Sequence, residues 1–332
     1  DLHRLIRRQR QMCIRDSSST VYGHYGGGDL NSYKIFLERF LQLTRDGGTA
    51  AVVVPSGITT DAGSSELRKL LFEGTRILCW YSFENRMKIF PIDSRFKFVL
   101  LAAEKGDTTE SFPCFFYRHD LADLEAEHLR ELKLDMPVSL VRRFSPETLS
   151  VMEFRSRRDL EITQKIYGNH PLLGETVPGA WNIKLIREID MTNDSYLFNS
   201  RGVGLTVYEG KMIHQFDPFY HKTTHNAGLP RYWIEEEEGL RELAKKYLAG
   251  RGGSMKAEEI DRMNLARLRE LPLPCNNYRL AYRAIARSTD ERTMIAAILP
   301  PGMPIGNSLI FVAGLRRPVE LLFLCSILNS FV

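Results

Sequence analysis

The chain has 332 residues, 43% hydrophobic and 26% charged, with a formal net charge of +4. That length and apolar content suit two globular domains and exclude a disordered or collagen-like chain. No apolar run approaches the ~20 residues of a membrane helix. The stretch Val319–Val332 is broken by Cys325, Asn329 and Ser330, so a cytoplasmic protein is expected.

Residues 1–17 are expected to be non-native. The run from Arg7 to Ser17 is what a transposase sequencing adapter encodes in one frame, and Asp1-Leu2-His3 matches the end of the primer before it. The rival reading is a basic arm for nucleic acid. The segment holds five arginines and two aspartates, and without it the net charge falls from +4 to +1. Overall basicity is then no argument for a polyanionic partner. The remainder reads as a piece of a longer frame, truncated at both ends.

From Asp29 the pattern becomes regular. Tyr33, Phe36, Leu37, Phe40 and Leu41 recur at helical spacing, with Asp29 or Asn31 as cap and Gly47-Gly48 as stop. Thr49–Val54 is a continuous apolar run, the pattern of a strand buried on both faces. After Pro55-Ser56-Gly57 come a short helix over Glu66–Phe72, a strand over Arg76–Phe83 and another over Phe96–Ala102. This order predicts the second half of a doubly wound α/β sheet that finishes in a hairpin. With three strands and an open edge, the sheet is expected to continue upstream and the piece to fold poorly alone.

Near residue 135 the character changes, and a domain boundary is expected between 135 and 136. Ser145–Ile166 reads as mostly helical, Pro171–Gln215 as short strands between polar turns, and Glu235–Leu248 and Met255–Leu271 as amphipathic helices. The Glu235–Glu238 run suits a helix start, where acidic side chains complement the dipole. The second domain is therefore expected to be irregular α+β.

Two blocks resemble known proteins. Gly28-Asp29-Leu30-Asn31-Ser32-Tyr33, the Gly47-Gly48 turn before a strand ending Val54-Pro55-Ser56-Gly57, Phe83-Glu84-Asn85-Arg86, Ile89-Phe90-Pro91 and Ser94-Arg95-Phe96-Lys97-Phe98 resemble the post-catalytic half of adenine-N6 DNA methyltransferases. The likeness is to the large single-chain type IIG restriction–modification and phage-defence enzymes. Met191–Ser195, Tyr208–Asp217, Tyr282–Arg287, Glu291-Arg292-Thr293 and Gly306–Leu309 resemble the target-recognition part of the same family. The resemblance implies the C-terminal half of a class I methyltransferase sheet followed by an α+β target-recognition domain. It implies S-adenosylmethionine as cofactor and double-stranded DNA as partner.

Extruding a base from a duplex costs a few kcal/mol, part of which an aromatic face restores. The resemblance makes Phe90 that face; a plug in the local core is the alternative. Arg95 and Lys97 then follow as phosphate contacts or as solvated strand-end charges. Asn31 and Tyr33 fall where the family lines its cofactor and base pocket, or serve as helix cap and core residue. In the second block Lys211, His214, Arg283, Arg287 and Arg292 are the candidate DNA contacts.

No catalytic residues are identified. The family's Gly-rich cofactor turn and Asn/Asp-Pro-Pro-aromatic tetrapeptide are not in the sequence. Asp217-Pro218-Phe219-Tyr220 is only a partial likeness and lies downstream of where that motif belongs, while Gly26-Gly27-Gly28 follows no strand. The five cysteines never form a CxxC pair, and His214, His221 and His225 lack the further ligands of a metal site, so none is expected. The sequence therefore predicts an inactive fragment of a methyltransferase. The alternative is a DNA-specificity module with a degenerate methyltransferase-like domain.

Overall fold

In the computed structural model, residues 23–24, 31–224, 228–249, 253–286, 291–315 and 317–330 are described. Two compact units divide at His170 and Pro171.

Unit 1 opens with α1 (Ser32–Leu43), where the Asn31 side chain accepts from the Tyr33 backbone N–H. The chain turns at Gly47, in the left-handed region at φ +71°, and enters β1 (Thr49–Pro55). A helical turn and α2 (Ser65–Gly74) lead to β2 (Thr75–Glu84), and a tight connection returns it as β3 (Lys97–Lys105). β3 is antiparallel to both β1 and β2 and lies between them. The hairpin strand is thus inserted between two parallel ones, the α/β arrangement expected from the sequence.

Two further strands escaped sequence reading. β4 (Ser111–Arg118) runs parallel to β2, and β5 (Leu134–Pro137) antiparallel to β4, giving the order β1-β3-β2-β4-β5. Pro113 interrupts the first, and the second is too short to show a period. Because β5 joins this sheet, unit 1 runs past residue 135. It includes α3 (Ala126–Leu132), α4 (Val138–Phe144) and α5 (Arg157–Asn169). Val138, Val141, Phe144 and Leu160 join the same core as Leu37, Leu67 and Trp80.

β1 is not buried on both faces. Val54 is buried, but Val53 is 54% exposed, and Phe36 (58%) and Leu43 (66%) on α1 are exposed too. The helix packs Leu37 and Leu41 inward, so the second stripe of its apolar residues has no cover among the described residues.

Unit 2 is built from small pieces. β6 (Lys184–Ile186), β10 (Arg279–Arg283), β11 (Ala296–Leu299) and β12 (Leu309–Ala313) form an antiparallel sheet of order β11-β10-β12-β6. Two-residue strands β7 (Phe198–Asn199), β8 (Leu205–Thr206) and β9 (Trp233–Ile234) make a second. α6 (Glu236–Leu248) starts where the Glu235 side chain accepts from Glu238 N–H. The helix expected over Met255–Leu271 is two, α7 (Ala257–Asp261) and α8 (Leu265–Arg269), because Asn264 caps a new start by accepting from Arg267 N–H. The last element is α9 (Pro318–Leu328).

Between these pieces lies a buried ion pair. The Glu188 carboxylate accepts from Arg279 Nη2 at 2.9 Å and from Ile305 N–H at 2.8 Å, with both side chains almost wholly enclosed. Arg279 also donates to the Pro274 and Met303 carbonyls. Burial pushes the Glu188 carboxyl above its ordinary range despite Arg279 beside it.

Candidate functional site

In unit 1 the C-terminal ends of β1 and β2 lie at one edge of the sheet, since both pair in register with the start of β3. Open α/β sheets bind ligands at this edge. The connection from residue 85 to 96 stands there, and Asn85 builds it. Wholly buried, its Nδ2 donates to the carbonyls of Phe90 (2.9 Å), Ile92 (3.2 Å) and Asp93 (3.2 Å), while its Oδ1 accepts from Phe90 N–H (2.9 Å). One side chain satisfies backbone groups that a tight turn would leave unpaired.

The turn holds Phe90 with 37% of its surface exposed. Its ring meets Phe98 edge-on at 5.0 Å, at the end of an aromatic row in which Phe83 contacts Phe98 and Phe115. Phe90 is thus partly packed and partly open. Arg95 stays with its own turn, bonding Asp93 Oδ1 at 3.1 Å and Oδ2 at 2.8 Å. The guanidinium holds the Asp93 carboxyl well below its usual range. Lys97 sits between Glu84 (3.6 Å) and Glu153 (3.4 Å), over the Tyr117 ring. Two carboxylates face its one ammonium, whereas Arg95 has the single Asp93 carboxylate and is largely exposed.

The start of α1 contributes the other candidates. Asn31 is exposed and caps the helix. Tyr33 is half-buried, its hydroxyl 3.1 Å from Ser64 Oγ, and burial raises its phenol above the ordinary value. A Cβ on Gly57 would lie 2.4 Å from Asp61 Oδ2 and 3.0 Å from the Tyr33 hydroxyl. A side chain where β1 hands over to the next helical turn would therefore push the ends of the Asp61 and Tyr33 side chains aside. Buried Arg68 fixes that loop by donating to the carbonyls of Ile58, Asp61 and Thr148.

In unit 2 three candidates converge on one turn. His214 and Asp217 bond each other's backbones, N–H to O, at 2.9 and 3.1 Å, and the His214 ring stands 4.7 Å from that of Tyr220. Arg283 Nη2 donates to the Ile213 carbonyl at 2.6 Å. Gln215 Nε2 bonds the Asn329 carbonyl, and Arg292 Nη1 reaches the adjacent Ser330 carbonyl at 3.5 Å. Lys211 belongs elsewhere: it pairs with Glu209 at 3.2 Å, as does Arg231. Glu209 and Arg231 border a cleft with Tyr232, Asn307 and Ser308. Burial pushes the Glu209 carboxyl up, but its two cations outweigh this and leave it below the ordinary value. Arg287, the remaining candidate, and His225 lie outside the described residues. His221 is buried, its Nδ1 3.2 Å from the Met212 carbonyl, and among the described residues no three metal-ligating side chains cluster.

Sequence reasoning missed Asn85, Glu153, Glu209 and Arg231. A polar residue directly after a β-run, as Asn85 is, was a usable signal. The pairing of Glu153 with Lys97, 56 positions away, had none.

Residues 6–90 match the family model described as the Eco57I restriction-modification methylase. The match bears out the resemblance read from the motifs for that part of the chain. No curated protein matches the chain. Among similar solved structures is one from a study of complex assembly and conformational transition in a type I restriction–modification system, at 16% identity. The alignment covers 43% of this chain and 40% of that one, with a TM-score of 0.32. The type IIG restriction endonuclease BpuSI is 16% identical over 92% of this chain and 39% of its own, with a TM-score of 0.35. A modification subunit from Vibrio vulnificus YJ016, assigned to a type I restriction enzyme, is 16% identical over 35% and 32%, with a TM-score of 0.27. The chain spans about 40% of the length of the first two. No helix among the described residues is long and apolar enough to cross a membrane.

Proposed function

We propose that the chain is part of an S-adenosylmethionine-dependent methyltransferase that modifies adenine N6 in a specific duplex sequence within a restriction–modification or defence system. Unit 1 contributes the rim of the base pocket, and unit 2 recognises the target. The observation that carries the reading is the methylase match at residues 6–90. Within it, Asn31, Tyr33 and Phe90 belong to segments that abut the ligand-binding edge of the sheet.

In this reading Phe90 stacks on the extruded adenine and Arg95 holds a neighbouring phosphate. Asn31 and Tyr33 form one wall of the pocket. The methyl donor supplies an electrophilic methyl group when bound. The chain's own residues do not complete a site for it, since among the described residues no Gly-rich turn follows a strand, and the sequence holds no Asn/Asp-Pro-Pro-aromatic segment.

Recovery of the full reading frame that encodes this chain tests this directly. An uninterrupted frame encoding both missing motifs is expected. In the protein so assembled, tritium from labelled S-adenosylmethionine should appear as N6-methyladenine in duplex DNA. Phe90→Ala should lower that transfer by on the order of tenfold or more. A frame lacking the tetrapeptide would leave a DNA-specificity module and remove the enzyme.

A further inference from the structure

Five residues other than glycine have positive φ among the described residues: Lys88, Tyr117, Leu149, Asn182 and Phe216. For a bulky side chain this conformation is costly and persists only where the surroundings enforce it. Four have a local account. Leu149 is buried in the unit 1 core and Tyr117 packs against it. Asparagine tolerates the region, and Lys88 closes the Asn85 turn with its Nζ on the Ile92 carbonyl. Phe216, at φ +61°, is different: the residue is 58% exposed.

The backbone around it is firmly held. Phe216 N–H donates to the Ala296 carbonyl at 3.0 Å, and the His214–Asp217 bridge closes the turn. The Asp217 carboxylate accepts from Phe219 N–H at 2.7 Å. The enforced conformation thus presents an apolar ring outward from a rigid turn, the reverse of what the hydrophobic effect favours. Around that turn stand His214, Arg283 and Arg292, tied to it or to the chain beside it. A few residues on, Lys222 lies 5.0 Å over the ring of Phe219.

We propose that Phe216 is a wedge that enters double-stranded DNA, its ring stacking at a base step while Arg283, Arg292 and His214 hold flanking phosphates. Apolar side chains that part base steps work in this way, with cations beside them on the backbone. The inference rests on unit 2 being the DNA-recognising part.

The test uses the whole chain and a fluorescein-labelled mixed-sequence 30-base-pair duplex, titrated by anisotropy at several salt concentrations. Phe216→Gly suits the left-handed backbone, so its melting temperature should equal or exceed the parent's. Its duplex affinity should fall on the order of tenfold with the salt dependence unchanged, because no phosphate contact is lost. Arg292→Gln should instead reduce the salt slope by about one. Phe216→Trp should keep the affinity, with duplex quenching fluorescence gained over the parent. If the parent binds duplex and Phe216→Gly binds equally well, the wedge is overturned while DNA recognition stands. If the parent binds no duplex even at low salt, both fall.

Discussion

The two units are stabilised by different means. In unit 1 the main apolar cluster runs from Leu37 through Trp80 and Phe112 to Leu160, laid against a five-stranded sheet, with a smaller aromatic cluster of Tyr81, Phe83, Phe98 and Phe115 beside it. Unit 2 divides its apolar residues among separate clusters under short strands and encloses the Glu188–Arg279 pair among them. A sheet core is forgiving, because each residue makes one contribution among many of the same kind. An enclosed ion pair is not, since removal of one partner strands a charge where water cannot reach it.

That contrast is open to direct measurement by region-resolved hydrogen exchange. The largest effect is expected from Arg279→Ala or Glu188→Ala. Either should lower the protection of β10–β12 by about 3–5 kcal/mol and leave β1–β3 as they were. A loss below about 1 kcal/mol would mean that the pair behaves like a surface bridge and that the contrast is mistaken.

Asn85→Ala comes next, because it leaves backbone groups of the 85–96 connection unpaired. The expected cost is about 1–3 kcal/mol, seen as faster exchange at Phe90 and Phe96 and not in the core strands. Uniform loss across unit 1 would show the turn to be part of the global core.

Acid sharpens the comparison within unit 2. The Glu209 carboxyl is depressed by Arg231 and Lys211, so its contribution is fully present above the ordinary glutamate pKa of about 4.5. It is lost as pH falls below that through the folded-state value. Protection near β8 and β9 should therefore weaken on acidification below about pH 4.5. Glu209→Gln should flatten that dependence; an unchanged pH profile in the variant would remove Glu209 as its source.

The smallest stability effect is expected at Arg95, which is 89% exposed. Arg95→Gln should leave the melting temperature unchanged, yet reduce the salt slope of duplex binding by about one. A variant with an unaltered slope would leave Arg95 a solvated charge.

Much of unit 1 could be read directly from the chain. The i, i+4, i+8 spacing of Tyr33, Leu37 and Leu41, the apolar runs of β1 and β2 and the breaks at Gly47 and Pro55 are local signals, and the elements stand where those signals put them. The motifs from Asn31 to Phe98 also carried the methylase likeness, because short ordered segments keep their residue types wherever the chain goes.

What lay beyond reading was every relation set by distant partners. Whether β1 is covered on one face or two depends on what packs there. β5 shows no period in four residues and exists because β4 offers an edge. Lys97 looked like a free cation until the fold brought Glu84 and Glu153 to it, and Lys211 until Glu209 did. The positive φ of Phe216 has no signature in a Phe-Asp-Pro-Phe run. Periodicity and turn chemistry act over a few residues and are written in sequence order. Charge neutralisation, enclosure and enforced backbone strain act across space, and here only the tertiary structure decided them.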